Sequence, residues 1–168
     1  MVKDLVDLLK KIDVVYWEPV KLKNLDVSEY YVDVKKACGY PEALKLIANH
    51  LLEIVPRETT CIAAAGYGGL PIAVALVMSA SNNLKLALIR DQPKGHGRRE
   101  LIDGYIPTKE DKVAVVDDVL TTGGSIREII ETLGPTQADI LGCYVVVKRG
   151  QCELSASIYH LMTAEDLL

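Results

Sequence analysis

The chain has 168 residues, 49% of them hydrophobic, and carries 19 Lys and Arg against 23 Asp and Glu, a formal charge of -4. This apolar content fills the core of one domain and excludes disorder, collagen and a small disulfide scaffold. The balanced, slightly acidic charge argues against a chain built to grip nucleic acid over a broad face.

Val2, Leu5, Leu9, Ile12 and Tyr16 recur at helical steps, so residues 2–16 read as a helix with one apolar face. Charges run through its apolar positions, which excludes a signal peptide. Residues 22–35 alternate loosely around Tyr30, Tyr31, Val32 and Val34, a pattern of two short strands. Gly39 and Pro41 announce a helix whose stripe is Leu44, Ile47, Leu51 and Ile54, ending at Pro56. Residues 59–83 carry no charge and are long enough to cross a bilayer. Gly66, Gly68, Gly69 and Pro71 instead divide them into a buried strand over 60–65, a tight loop over 66–71 and a buried helix over 70–79. A second core strand spans 84–89. Residues 90–104 follow, rich in charge and glycine and without a steady period. A third strand, 113–116, ends at Asp117 and Asp118. Ile126, Ile129, Ile130 and Leu133 form the stripe of a helix that Gly134 and Pro135 stop. A fourth strand covers 140–147, and residues 153–159 read as a fifth.

Strands alternating with helices predict an α/β fold, a mostly parallel central sheet flanked by helices with right-handed crossovers. The core is built from Ala, Val, Ile and Leu, since there are eight Tyr, one Trp and no Phe. Residues 1–168 make a single domain, in which residues 1–55 supply helices and a hood over the site. Cys38, Cys61, Cys143 and Cys152 form no CxxC pair and read as free thiols of a reducing, cytoplasmic protein. Ligands of such sheets bind beyond the carboxyl ends of the strands. Three unusual loops fall there, at 66–71, 90–104 and 117–125.

The last of these is the sharpest segment. A buried strand delivers Asp117 and Asp118 to its exposed end, and Thr121, Thr122, Gly123, Gly124 and Ser125 then open a helix. Hydroxyls and unpaired N–H groups at a helix start cradle an anion, and glycine lets a phosphate approach the backbone. Ser125 with Glu128 also matches a capping box, which would make this an ordinary helix start. That reading leaves the adjacent aspartates unexplained, since paired like charges need a partner such as sugar hydroxyls with a divalent ion. No Lys-Ser or Lys-Thr follows the glycines, so the segment is not a Walker A loop, nor is it a dinucleotide GxGxxG.

The segment closely resembles the phosphoribosyl-diphosphate-binding motif of type I phosphoribosyltransferases. The resemblance extends along nearly the whole chain and is nearest to the orotate branch of that family. It implies that residues 121–125 hold the 5-phosphate and that Asp117 and Asp118 meet the ribose and a Mg²⁺ ion. It implies that Arg90, Lys94 and His96, in a loop that closes near Ile102, Asp103 and Gly104, bind the diphosphate, with Lys94 and His96 catalytic beside the acidic pair. Asp91 departs from the family pattern, which places a second basic residue there, and Arg98 or Arg99 is the candidate replacement. Lys23, Tyr31 and Val32 match the hood segment that covers the base, although Asn24 and Leu25 replace its usual Ser-Gly. Gly66, Tyr67, Gly68 and Gly69 match the diphosphate loop, where some members carry a lysine at the position of Gly68. Arg149 stands where an arginine meets the orotate carboxylate.

The implied reaction joins orotate to phosphoribosyl diphosphate, giving orotidine 5'-phosphate and diphosphate in pyrimidine biosynthesis. The implied assembly is a homodimer whose loop 90–104 reaches the neighbouring site, with no nucleic-acid or membrane partner. A purine or other nucleobase phosphoribosyltransferase would share the phosphate loop and acidic pair. A non-catalytic regulator of the same fold, binding a nucleotide or nucleic acid, is the reading of a different class.

Overall fold

Apolar residues at both parities of a strand need cover on both faces of a sheet. In β5 (Cys61–Ala65), Ile62 and Ala64 join one core while Cys61 and Ala63 join the other. The computed structural model describes residues 2–17, 20–21, 27–92 and 101–168. Its main sheet adds β6 (Lys85–Ile89), β7 (Ile102–Gly104), β8 (Lys112–Leu120), β9 (Asp139–Lys148) and β10 (Ile158–Thr163), in the order β10-β9-β8-β5-β6-β7. All neighbouring pairs are parallel except β6 with β7. The mostly parallel α/β expectation is therefore met.

Helices α1 (Lys3–Ile12), α2 (Pro41–Ile54) and α3 (Gly66–Ser79) cover one face, and α4 (Gly124–Leu133) covers the other. Ile126, Ile129 and Leu133 of α4 are at most 1% exposed, and each such burial stabilises the fold by roughly 1.5–3 kcal/mol. The N-terminal segment forms two short antiparallel ladders. One joins β1 (Val15–Tyr16) to β4 (Tyr31–Val32), and the other joins β2 (Val20–Lys21) to β3 (Val27–Ser28). A 3-10 turn, Val34–Gly39, then leads into α2. No helix among the described residues is long and apolar enough to cross a membrane.

Several boundaries differ from the sequence expectation. The first helix stops at Ile12, because Asp13 turns left-handed at φ 62° and closes the helix onto the Leu9 and Lys10 carbonyls. Val15 and Tyr16 are strand instead. The loop expected over 66–71 is the opening of α3, which begins at Gly66 and takes Pro71 within it. The third strand does not end at the aspartates but carries both and runs to Leu120. Residues 102–104, assigned to a loop, are an edge strand. The last strand, expected over 153–159, instead runs from Ile158 to Thr163, and its residues Tyr159 and His160 are exposed.

Parallel pairing sends the ends of β5, β6, β8 and β9 to one side of the sheet. Residues 66–69, the start of the 90–104 segment, residues 121–125 and residues 149–150 therefore share one rim.

Candidate active site

The rim is built around the end of β8. Val113 and Val115 pack toward α4, while Ala114 and Val116 pack toward α3, and the strand then presents Asp117 and Asp118. Asp117 is 8% exposed, and its Oδ1 accepts the Asp118 N–H at 2.9 Å. Asp118 Oδ1 accepts the Val119 N–H at 2.8 Å. Burial, and then the charge of Asp118, push the Asp117 carboxyl above the usual carboxylate range. Two adjacent acids held this way favour a cation or a set of hydroxyl donors.

The opening of α3 lies directly on this pair. A Cβ at Gly68 would overlap the Asp118 carboxylate, and one at Gly69 would come within 2.9 Å of the Val116 carbonyl oxygen. The glycines thus serve close approach between helix and strand, and Gly66 supplies the positive φ of 64° that starts the helix. Tyr67 projects outward, 90% exposed.

Beyond Leu120 the chain turns through Thr121 and Thr122 to Gly123, the N-cap of α4, at φ 75°. The capping box, the alternative reading of this segment, is absent: Ser125 lies inside the helix, and no side chain caps this terminus. The first backbone bond into the helix is Arg127 N–H to the Gly123 carbonyl at 2.9 Å. Among the described residues, the N–H groups of 121–125 receive no partner, so the terminus keeps its positive end open. The loop's back is braced, since a Cβ at Gly150 would overlap the Thr121 carbonyl and one at Gly123 would come 2.8 Å from Cys152 Sγ.

Arg149 follows β9 on the same rim. Its N–H bonds the Leu120 carbonyl at 2.9 Å. Its guanidinium donates to the Tyr30 carbonyl at 2.8 Å and lies 4.7 Å from the Tyr30 ring centroid. The N-terminal segment is thereby fixed against the sheet beside the open start of α4. Trp17 adds a tilted ring 6.0 Å from Tyr30.

With this geometry, the match to a family model is informative. A phosphoribosyl transferase domain model matches residues 40–166. The chain belongs to that family. The orotate phosphoribosyltransferase of Methanocaldococcus jannaschii is 33% identical over 145 residues, covering 86% of this chain and 81% of that protein. The one from Methanocorpusculum labreanum is 36% identical, covering 100% and 99%. The crystal structure of orotate phosphoribosyltransferase from Aeropyrum pernix superposes with a TM-score of 0.81 at 27% identity, covering 98% and 96%.

The structure brings Gly66, Tyr67, Gly68, Gly69, Asp117, Asp118, residues 121–125 and Arg149 of this phosphoribosyltransferase chain to one rim. Val32 is buried, and Tyr31 is paired with Lys35 rather than open. Arg90 is turned to Asp103, its Nη1 donating at 2.8 Å, while its N–H bonds the Leu101 carbonyl at 2.9 Å. The two ends of the 90–104 segment are thus clasped at the rim. Lys23, Lys94, His96, Arg98 and Arg99 lie outside the described residues. Sequence reasoning missed Tyr30, Lys35 and Asp103. Lys35 carries a local signal, since it lies at the spacing of a turn from Tyr31 and two residues from Asp33.

All four cysteines are free. Burial pushes the Cys61 and Cys143 thiols up to about 12, so neither is a nucleophile at neutral pH. No group of three or more His, Cys, Asp or Glu among the described residues forms a metal cage.

Proposed function

We propose that this chain transfers the phosphoribosyl group of phosphoribosyl diphosphate to orotate, forming orotidine 5'-phosphate and diphosphate. The bond from the ribose anomeric carbon to the diphosphate oxygen breaks, and a bond from the base nitrogen forms at the same carbon. The open N–H groups and hydroxyls of residues 121–125 hold the 5-phosphate. Asp117 and Asp118 accept from the ribose hydroxyls and orient the sugar. The N–H groups opening α3 at residues 66–69 face the diphosphate, joined by Arg90, Lys94 and His96, which steady the charge as it leaves. Orotate is itself acidic and demands no strong general base. Closure of the 90–104 segment excludes water from the cation-like carbon.

The observation that carries the base assignment is Arg149. Its guanidinium sits between the phosphate cradle and the hood segment, on the Tyr30 carbonyl and ring, where a cation suits a base bearing a carboxylate. The family resemblance also assigns Lys23 and Tyr31 to the base side, whereas Val32 packs into the core rather than lining an open pocket. The curated relatives named as orotate phosphoribosyltransferases support the same reading.

Two adjacent carboxylates are hard oxygen donors, and with the oxygens of the substrate they fit Mg²⁺, which characteristically binds through one or two carboxylates plus phosphates. Asp117 and Asp118 would hold it, and it would neutralise charge on the diphosphate. We also infer a homodimer sharing the 90–104 segment. Tyr67, Val74 and Met78 lie on one face of α3 and are 90%, 46% and 80% exposed, an apolar stripe that suits a second copy of this chain. The free thiols suit a cytoplasmic enzyme.

Incubation with phosphoribosyl diphosphate and Mg²⁺ plus orotate, uracil, adenine, guanine or hypoxanthine tests the reading. Diphosphate release with orotate alone supports it. Release with a purine and not with orotate would replace it, and release with none would exclude transfer.

A further inference from the structure

Lys35 has no role in the reading above, yet it stands where the hood meets the acidic pair. Its Nζ lies 2.8 Å from Asp33 Oδ1 and donates to the Tyr31 hydroxyl at 3.3 Å. The same nitrogen is 3.8 Å from Asp118 Oδ2. Tyr31 belongs to β4 and Asp33 directly follows it, whereas Asp118 belongs to the central sheet. The ammonium is therefore shared between two elements that are far apart in sequence.

The arrangement is built from both sides. Val34 and Ala37, buried on the 3-10 turn, fix the backbone that carries Lys35. On the sheet, Asp118 Oδ1 is taken by the Val119 N–H, and the carboxylate fills the space that a Cβ at Gly68 would need. The remaining oxygen, Oδ2, is the one that faces Lys35. Asp118 also neighbours buried Asp117, so an adjacent cation relieves repulsion within the pair. Loss of solvent opposes ionisation of Lys35, but its bonds to Asp33 and Tyr31 outweigh this and hold the ammonium charged.

We propose that Lys35 is a positioning residue for phosphoribosyl transfer, holding Asp118 in the orientation that meets the ribose and tying it to the base-covering strand through Tyr31 and Asp33. This rests on the proposed function. Lys35 acts through Asp118 and touches no reacting atom. It also lowers the negative potential at the rim that an anionic phosphoribosyl donor approaches.

Lys35→Met and Lys35→Arg test the proposal, with kcat and KM measured for each substrate and the melting temperature alongside. In Lys35→Met, the KM for phosphoribosyl diphosphate rises about tenfold, as loss of a charged contact implies, while the KM for orotate moves less. Lys35→Arg recovers most of the loss, and both variants melt near the wild type because Lys35 is 40% exposed. An unchanged KM for phosphoribosyl diphosphate in Lys35→Met would overturn the proposal while wild-type turnover with orotate left the function standing. Equal impairment in Lys35→Arg would also overturn it. If wild-type protein showed no turnover and no calorimetric binding of phosphoribosyl diphosphate, the function and the proposal would fall together.

Discussion

Gly68→Ala is the smallest change that should damage the site while sparing the fold. A Cβ at Gly68 overlaps all three atoms of the Asp118 carboxylate. To reach ordinary van der Waals separation the carboxylate must withdraw by about 1 Å, away from the rim and against its bond to the Val119 N–H. Misplacement of a substrate-orienting group by about 1 Å costs about 10²-fold in rate. The stability cost is that of local overpacking, about 1–3 kcal/mol, since the clash is with a part-buried side chain at the rim and not with the core. Gly39→Ala is the control, because a Cβ there meets nothing within 4 Å. Steady-state kinetics and thermal melting of both variants check the argument. A Gly68→Ala enzyme with wild-type kcat/KM for phosphoribosyl diphosphate would show that Asp118's position is immaterial to the reaction.

Further outcomes follow from other parts of the molecule. Arg149→Lys keeps a charge but loses the planar fork that spans the Tyr30 carbonyl and the base side; the KM for orotate should rise about 10- to 100-fold, with little change for phosphoribosyl diphosphate. Met78→Glu with Val74→Glu should break the proposed dimer, read as monomeric sedimentation, and reduce turnover, whereas unchanged sedimentation would remove α3 from the proposed interface. Asp111, 3% exposed, accepts bonds from Thr60, Lys85, Tyr105 and Thr108 at the opposite end of the sheet. Burial opposes its ionisation, but these bonds prevail and hold the carboxyl far below its usual value. Its contribution is therefore present above the unfolded pKa of about 3.9 and is lost as pH falls below that value. Urea unfolding should show Asp111→Asn destabilised by about 2–4 kcal/mol at neutral pH, with a smaller further loss in acid than the wild type.

The architecture was legible because the central strands are apolar at both parities and the helices carry one-sided stripes. The strand of 113–116 with its acidic end, and the open helix start after it, could be read from residue types alone. The glycines at 66–69 misled, since they read as a turn but serve the contact of α3 with Val116 and Asp118. Ser125 and Glu128 imitated a cap, yet Gly123 at positive φ starts the helix one residue before Gly124 and leaves Ser125 inside it. Periodicity carried the first helix too far because Tyr16, which lies on a strand, falls one helical step after Ile12 and extends the stripe past Asp13. The final strand was misplaced because an edge strand exposes residues such as Tyr159 and His160, which blurs the alternation. Lys35 could not be found from spacing alone, because its distance to Asp118 depends on how the hood docks on the sheet.

The account depends most on the anion cradle at residues 121–125, and Gly124→Asp probes it directly. A Cβ at Gly124 meets only Thr122 Oγ1, at 3.8 Å, and a carboxylate in the first turn of α4 suits the helix dipole. The variant should therefore melt at or slightly above the wild-type temperature while placing a negative charge at the proposed 5-phosphate site. Calorimetric titration with phosphoribosyl diphosphate should show affinity weakened by about 100-fold or more. Wild-type affinity in a correctly folded Gly124→Asp protein would contradict the account.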